Sequence, residues 1–87
     1  MRRSVLLSTQ AQREFAAIVG GSRTRVRAAL LAFAESGRGD VKKLKGVHNG
    51  ADLYRLRVGP YRVIFELAPE AVRVTRNIHR SEGYDWL

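Results

Sequence analysis

Cysteine is absent from the 87 residues. That excludes disulfides, a thiol nucleophile and zinc sites built on thiolates, and it suits a reducing cytosol. Histidine is scarce as well: only His48 and His79 occur, and neither has a carboxylate or second histidine at a ligand-like helical spacing, so no metal site is expected. No Gly-rich segment has the spacing of a phosphate cradle, and no serine sits on a nucleophile elbow. The basic part of the chain lacks the paired carboxylates of acid–base catalysis; Glu66 stands alone. There is no repeat, no low-complexity tract and no stretch near the roughly 20 apolar residues that span a bilayer. The opening Met1-Arg2-Arg3-Ser4-Val5-Leu6-Leu7-Ser8 starts with charge, as signal peptides do. Its apolar run is three residues, too short for an h-region, and it reads as a first strand.

Acidic residues are also few, 8 against 16 Lys and Arg, for a net charge of +8. The excess is concentrated between Arg38 and Arg80, where ten basic side chains meet four acidic ones. A field of this sign draws polyanions or an acidic protein partner. A hydrophobic content of 45% is enough to fold, so global disorder is a poor reading. The length fits one domain, residues 1–87, which buries only about 60–65% of its unfolded surface and has little room for a deep enclosed cavity.

The pattern along the chain predicts β-α-α-β-β-β. A strand over 3–8 is followed by a capping box with Thr9 as N-cap and Gln12 at N3, opening a helix to about Val19. Gly20-Gly21 ends it, and Ser22 caps a second helix whose stripe is Val26, Ala29, Leu30 and Phe33. Residues 38–52 read as a basic loop carrying Lys42, Lys43 and Lys45. A hairpin comes next, from Leu53 to Leu67 around Gly59-Pro60, and a last strand from Ala71 to Ile78 turns Val72 and Val74 inward. The expected fold class is α+β: an N-terminal strand, an antiparallel helix pair, then a three-stranded antiparallel meander, with the helix pair packed on one face of the sheet.

The hairpin is the informative part. Tyr54, Leu56 and Val58 share one face with Tyr61, Val63, Phe65 and Leu67; Arg55, Arg57 and Arg62 take the other, with Ile64 and Glu66. Three guanidiniums on a stiff hairpin form an anion platform, and the phosphodiester backbone is the obvious anion. RNA cleavage through attack of the 2′-hydroxyl on its own phosphate needs a base, positive charge for the phosphorane and an acid for the leaving oxygen. Arg62 suits the second role. His79 is the acid–base candidate, since imidazole is the side chain most often used for general acid–base work, and Tyr84 can stack on a splayed base or carry a proton. The plainer reading of each stays open: a solvated strand face for Arg55 and Arg57, a surface histidine, and tail anchors for Tyr84 and Trp86.

Lys43-Leu44-Lys45-Gly46, the hairpin from Leu53 to Phe65, and His79-Arg80-Ser81-Glu82-Gly83-Tyr84 together resemble the RelE/ParE toxin superfamily, closest to its RelE branch. The resemblance covers about residues 41–84 by motif and implies a cytoplasmic toxin of a type II toxin–antitoxin pair. RelE-like members cut mRNA in the ribosomal A site without a metal or cofactor. An antitoxin silences them by wrapping the toxin, here an acidic protein with an amphipathic helix, and no membrane is involved. Carried over by position, Arg62 stabilises the transition state, Arg55 and Arg57 stand where active members often have lysine, and Arg80 or His79 is the C-terminal acid. Tyr84 stacks on the base. Lys42, Lys43, Lys45, Arg55, Arg57 and Arg73 would bind ribosomal and messenger RNA. Arginine holds its proton too tightly to be a base. ParE-like relatives, which share the fold but poison DNA gyrase, remain the alternative, as does an inactive relative that only binds antitoxin.

Overall fold

The computed structural model describes residues 2–46 and 50–83. The chain runs β1 (Ser4–Leu7), α1 (Thr9–Ala17), α2 (Gly20–Ser36), β2 (Asp40–Lys43), β3 (Tyr54–Val58), β4 (Tyr61–Leu67) and β5 (Ala71–His79), then a 3₁₀ turn over Arg80–Glu82. The five strands form one sheet in the order β1-β5-β4-β3-β2. β2 to β5 make an antiparallel meander, while β1 lies parallel to β5. The α+β class and the single helix-covered face agree with the sequence pattern. The strand count does not, because residues 40–43, expected in a loop, form β2. Only Val41 of that strand turns toward the core, so its periodicity is too weak to see, and its lysines are typical of an edge strand.

Both helices pack on one face. Val26, Leu30 and Phe33 of α2 and Ala11 of α1 meet Leu56, Val63, Phe65, Val72 and Val74 from the sheet, and the Phe33 and Phe65 rings lie 5.1 Å apart at a tilt. Helix entry differs from expectation by one residue. Ser8, not Thr9, is the N-cap: its Oγ accepts from Ala11 N–H at 3.0 Å. Gln12 reaches back to the Leu7 carbonyl at 3.2 Å. α1 stops at Ala17, and an extended Ile18-Val19 pair makes the bend, so Gly20 and Gly21 open α2 and Ser22 lies inside its first turn. Val19 is left 80% exposed at that bend. Gly39 leads into β2 at φ +146°, where a Cβ would stand 2.7 Å from Leu56 Cδ1.

The opposite face carries a smaller apolar cluster, Leu44, Leu53, Ile64 and Ile78. β5 reaches both faces in an unexpected phase. Phe65 pairs with Val74, but Ile64 pairs with Arg76, so Thr75 is an extra residue in the ladder. Before the bulge, Val72 and Val74 face the helices. After it, Asn77 and His79 do, opposite Val63 and Tyr61, and Ile78 joins Arg62 on the open face. No helix among the described residues is long and apolar enough to cross a membrane.

Candidate functional site: an arginine cleft

The open face holds a cleft of about 290 Å³ lined by Arg55, Arg57, Arg62, Ile78, Arg80 and Gly83. The hairpin supplies three of the four arginines because period-two alternation puts Arg55, Arg57 and Arg62 outward while Leu56, Val58 and Val63 fill the core. Arg57 and Arg62 are direct cross-strand partners. Like charges in that position repel, and an anion between them relieves the repulsion.

Each guanidinium is held differently. Arg62 Nη1 donates to the carbonyls of Gly59 at 2.8 Å and Tyr61 at 2.9 Å, which ties it to its own hairpin turn. Carbonyl acceptors orient the group without cancelling its charge. Arg55 is 18% exposed, with Nη1 3.6 Å from Asp40 Oδ1. That nitrogen is buried and has no hydrogen-bond acceptor among the described residues, a donor already desolvated and short of an acceptor. Arg80 enters from the 3₁₀ turn, whose first N–H donates to the Pro60 carbonyl at 2.7 Å. The end of β5 is thereby fastened to the hairpin turn.

The structure thus brings Arg55, Arg57, Arg62 and Arg80 together. It does not bring His79 to them. The imidazole is opposite Tyr61 on the helix side and meets that ring edge-on, centroids 5.4 Å apart, and Tyr61 packs against the main core. Lys42 pairs in register with Arg55 and extends the basic face toward the sheet edge. Lys43 points the other way and forms an exposed ion pair with Asp52 at 3.4 Å, an interaction worth little. Lys45 is exposed just beyond β2. Arg73 lies opposite Glu66 at the far end of the sheet, roughly 15 Å from the cleft at the usual strand rise. Tyr84, Trp86 and His48 lie outside the described residues. The spacing gave no sign of Asp40, Ile78 or Gly83 as neighbours of the site; the register of β2 and the bulge in β5 were needed.

A second polar cluster buttresses the sheet behind β5. Glu14 Oε2 accepts from Arg76 Nε at 2.8 Å and Nη2 at 2.6 Å, and its Oε1 accepts from Asn77 N–H at 2.8 Å. Asn77 Nδ2 donates to the Ala11 carbonyl at 3.0 Å. Burial pushes the Glu14 carboxyl up, but the hydrogen bonds from Arg76, Asn77 and Gln10, with the Arg76 charge, outweigh it and hold the group below the usual glutamate range. The same pairing raises Arg76.

No family model matches the sequence. Over 47 residues the chain is 43% identical to toxin RelE3 of Methanocaldococcus jannaschii, a match that covers 54% of this chain and 50% of that protein. The chain thus spans about half the length of the curated relative it matches. Its fold superposes on the toxin–antitoxin complex RelB–RelE from Methanococcus jannaschii with a TM-score of 0.74 and 27% identity, over 94% of this chain and 98% of that one. The RelE–RelB complex from Pyrococcus horikoshii gives 0.75 at 22% identity over 95% and 100%, which shows the fold alone. The RelBE2 complex from Mycobacterium tuberculosis gives 0.64 at 26% over 93% and 94%. A small α+β domain with a helix-covered sheet and an arginine cleft on its open face is the class these features define. Within it, the chain is similar to RelE toxins, in sequence over about half its length and in fold over nearly all of it.

Proposed function

We propose that this chain is the toxin of a type II toxin–antitoxin pair and cleaves mRNA in the ribosomal A site through attack of the 2′-hydroxyl on the adjacent phosphate. The observation that carries the reading is the convergence of four guanidiniums on one open cleft. They supply the positive charge that the phosphorane requires, so the reaction needs no metal for that purpose. Arg62, pre-oriented by its turn, is the transition-state donor. Arg55 and Arg57 hold the scissile phosphate and its neighbours; as the bond from phosphorus to the 5′-oxygen breaks, Arg80 stabilises the leaving oxygen and water supplies its proton. None of the four is a base, so the 2′-hydroxyl proton goes to a group of the translating ribosome or to a water that the ribosome orders. This makes cleavage dependent on the ribosome to complete the site. Lys42, Lys43 and Lys45 add affinity for ribosomal RNA.

The partner is an antitoxin. The RelE chains this fold superposes on are found in complexes with RelB, and a chain of net charge +8 suits an acidic partner. Val19 at the helix bend and Leu31 on α2 are exposed apolar side chains, where an amphipathic antitoxin helix would bury them.

The test is mapping of mRNA 5′ ends in a purified translation reaction. New ends at the A-site codon, only on translated message, are the expected result. A folded, growth-inhibiting protein that produces no new ends, but stops supercoiling by purified gyrase, would replace this reading with a ParE-like one. RNA affinity should also fall steeply with salt: if four to six phosphates are contacted, a single-strand slope of about −0.7 per phosphate predicts roughly −3 to −4 in log–log form. A flat response would argue against a phosphate-dominated site.

A further inference from the structure

We infer that His79 is a positioning residue, setting Arg80 in the cleft by capping the 3₁₀ turn, and is not the proton carrier of the reaction. The inference rests on the reading of the cleft as the site of RNA cleavage. Three observations carry it. The imidazole lies on the helix side of β5, against Tyr61, while Ile78 and Arg80 on either side of it in sequence line the cleft. Its Nδ1 is engaged by the turn: Ser81 N–H donates to it at 3.2 Å and Ser81 Oγ lies 2.8 Å away. An Nδ1 that accepts the Ser81 N–H keeps the neutral ring's proton on Nε2. The turn also reciprocates, since Glu82 Oε1 accepts from His79 N–H at 3.3 Å. This is the logic of a capping box compressed into one short turn.

The cap adds to the few contacts that fix the turn among the described residues. Within it the Gly83 N–H reaches the Arg80 carbonyl at 3.4 Å, a long hydrogen bond. Outside it the Arg80 N–H is tied to Pro60, and Arg76 Nη2 lies 4.0 Å from Glu82 Oε2. Without the Nδ1 acceptor, Ser81 N–H turns to solvent and the Arg80–Ser81 peptide is freer to rotate. A group a mere 1 Å out of place loses much of its effect on a transition state.

Substituting His79→Asn and His79→Ala separates a cap from a proton carrier. Asparagine is a strong N-cap with no proton to give near neutral pH; alanine is neither. Cleavage per folded molecule is measured with programmed ribosomes, alongside amide hydrogen exchange at Ser81 and affinity for a short RNA oligonucleotide. Expected for His79→Asn are a kcat within about threefold of the parent and a protected Ser81 amide. Expected for His79→Ala are a kcat lower by about tenfold with KM little changed, faster Ser81 exchange and weaker oligonucleotide binding. If asparagine fails as badly as alanine while Ser81 stays protected, the ring is needed for chemistry and the inference is overturned. It is also overturned if alanine matches the parent in rate, exchange and affinity. Should the unsubstituted protein cut no message at all, the functional reading fails by itself, and the Ser81 exchange and oligonucleotide affinities still decide the cap.

Discussion

Arg62→Ala should lower the single-turnover rate of A-site cleavage by about 10²–10³-fold, the usual effect of removing one positioned donor from a developing oxyanion. The reason lies in how the side chain is held. Nη1 is anchored on the Gly59 and Tyr61 carbonyls, so its orientation is set before substrate arrives and the entropy of ordering a long cation is already spent. Across the ladder, Arg57 holds a like charge directly opposite, which biases the pair toward an anionic guest. Losing the two turn contacts should cost about 1 kcal/mol, a fall of about 4–8 °C in melting midpoint for a domain of this size. Folded protein therefore remains to be assayed. Arg62→Lys restores charge without the planar fork and should recover only part of the rate. Quenched-flow cleavage of programmed ribosomes, with circular dichroism melts, reads both quantities. A folded alanine variant that cleaves at the parental rate would take Arg62 out of the chemistry and pass the transition-state role to Arg80 or Arg57.

On the proposed reading, the cleft would join strong anion binding to weak intrinsic proton transfer. Four arginines line it, and among the described residues the carboxylate paired with one of them, Asp40, sits at the edge beside Arg55. Binding follows from that charge density; the base does not. A site so biased gains little by cutting free RNA. Under the proposed function, cleavage would draw on a context that orders the 2′-hydroxyl in line with the phosphate and supplies the proton acceptor, as a decoding ribosome does.

Much of this was legible in the sequence, and the rest was hidden for identifiable reasons. The hairpin declared itself because strict alternation around Gly59-Pro60 leaves one arrangement that buries Leu56, Val58, Val63 and Phe65 together. The arginine face follows from the same count. β2 escaped because one inward residue, Val41, carries no period. The helix junction escaped because Gly-Gly reads as a stop, whereas the extended Ile18-Val19 pair makes the bend. His79 was expected beside the arginines, as the period-two count from Val72 and Val74 requires. The extra Thr75 reverses that phase, and a single inserted residue leaves no mark in composition or spacing. The contact of Glu14 with Arg76 spans 62 positions and was invisible for the same reason that any long-range polar pair is: its partners look like ordinary surface charges until the fold brings them together.

That contact carries the largest expected effect on stability. β1 ends at Leu7, paired with Val74. Beyond it, β5 continues through Arg76 and Asn77 to the site with no strand on that edge among the described residues, and Glu14 of α1 takes the strand's place by accepting from the Asn77 N–H and from Arg76 Nε and Nη2. The side chains are 15% and 22% exposed, so solvent replaces them poorly. Glu14→Gln removes the charge and turns an amide toward Arg76. The expected loss is about 2 kcal/mol, within the range for hydrogen bonds to a charged group at a part-buried site, and roughly 10 °C in melting midpoint. The pH dependence has a definite sign. Because the folded carboxyl sits below the ordinary glutamate value, its contribution is complete above that ordinary value, about 4.3. It is lost as the pH falls through the lowered one. Urea midpoints of parent and variant should therefore differ most at neutral pH and converge on acidification below about pH 4. Parallel curves through the acid range would mean that Glu14 is not ionised against Arg76 in the folded state, and the buttress behind the arginine cleft would have to be assigned to Asn77 and Ala11 alone.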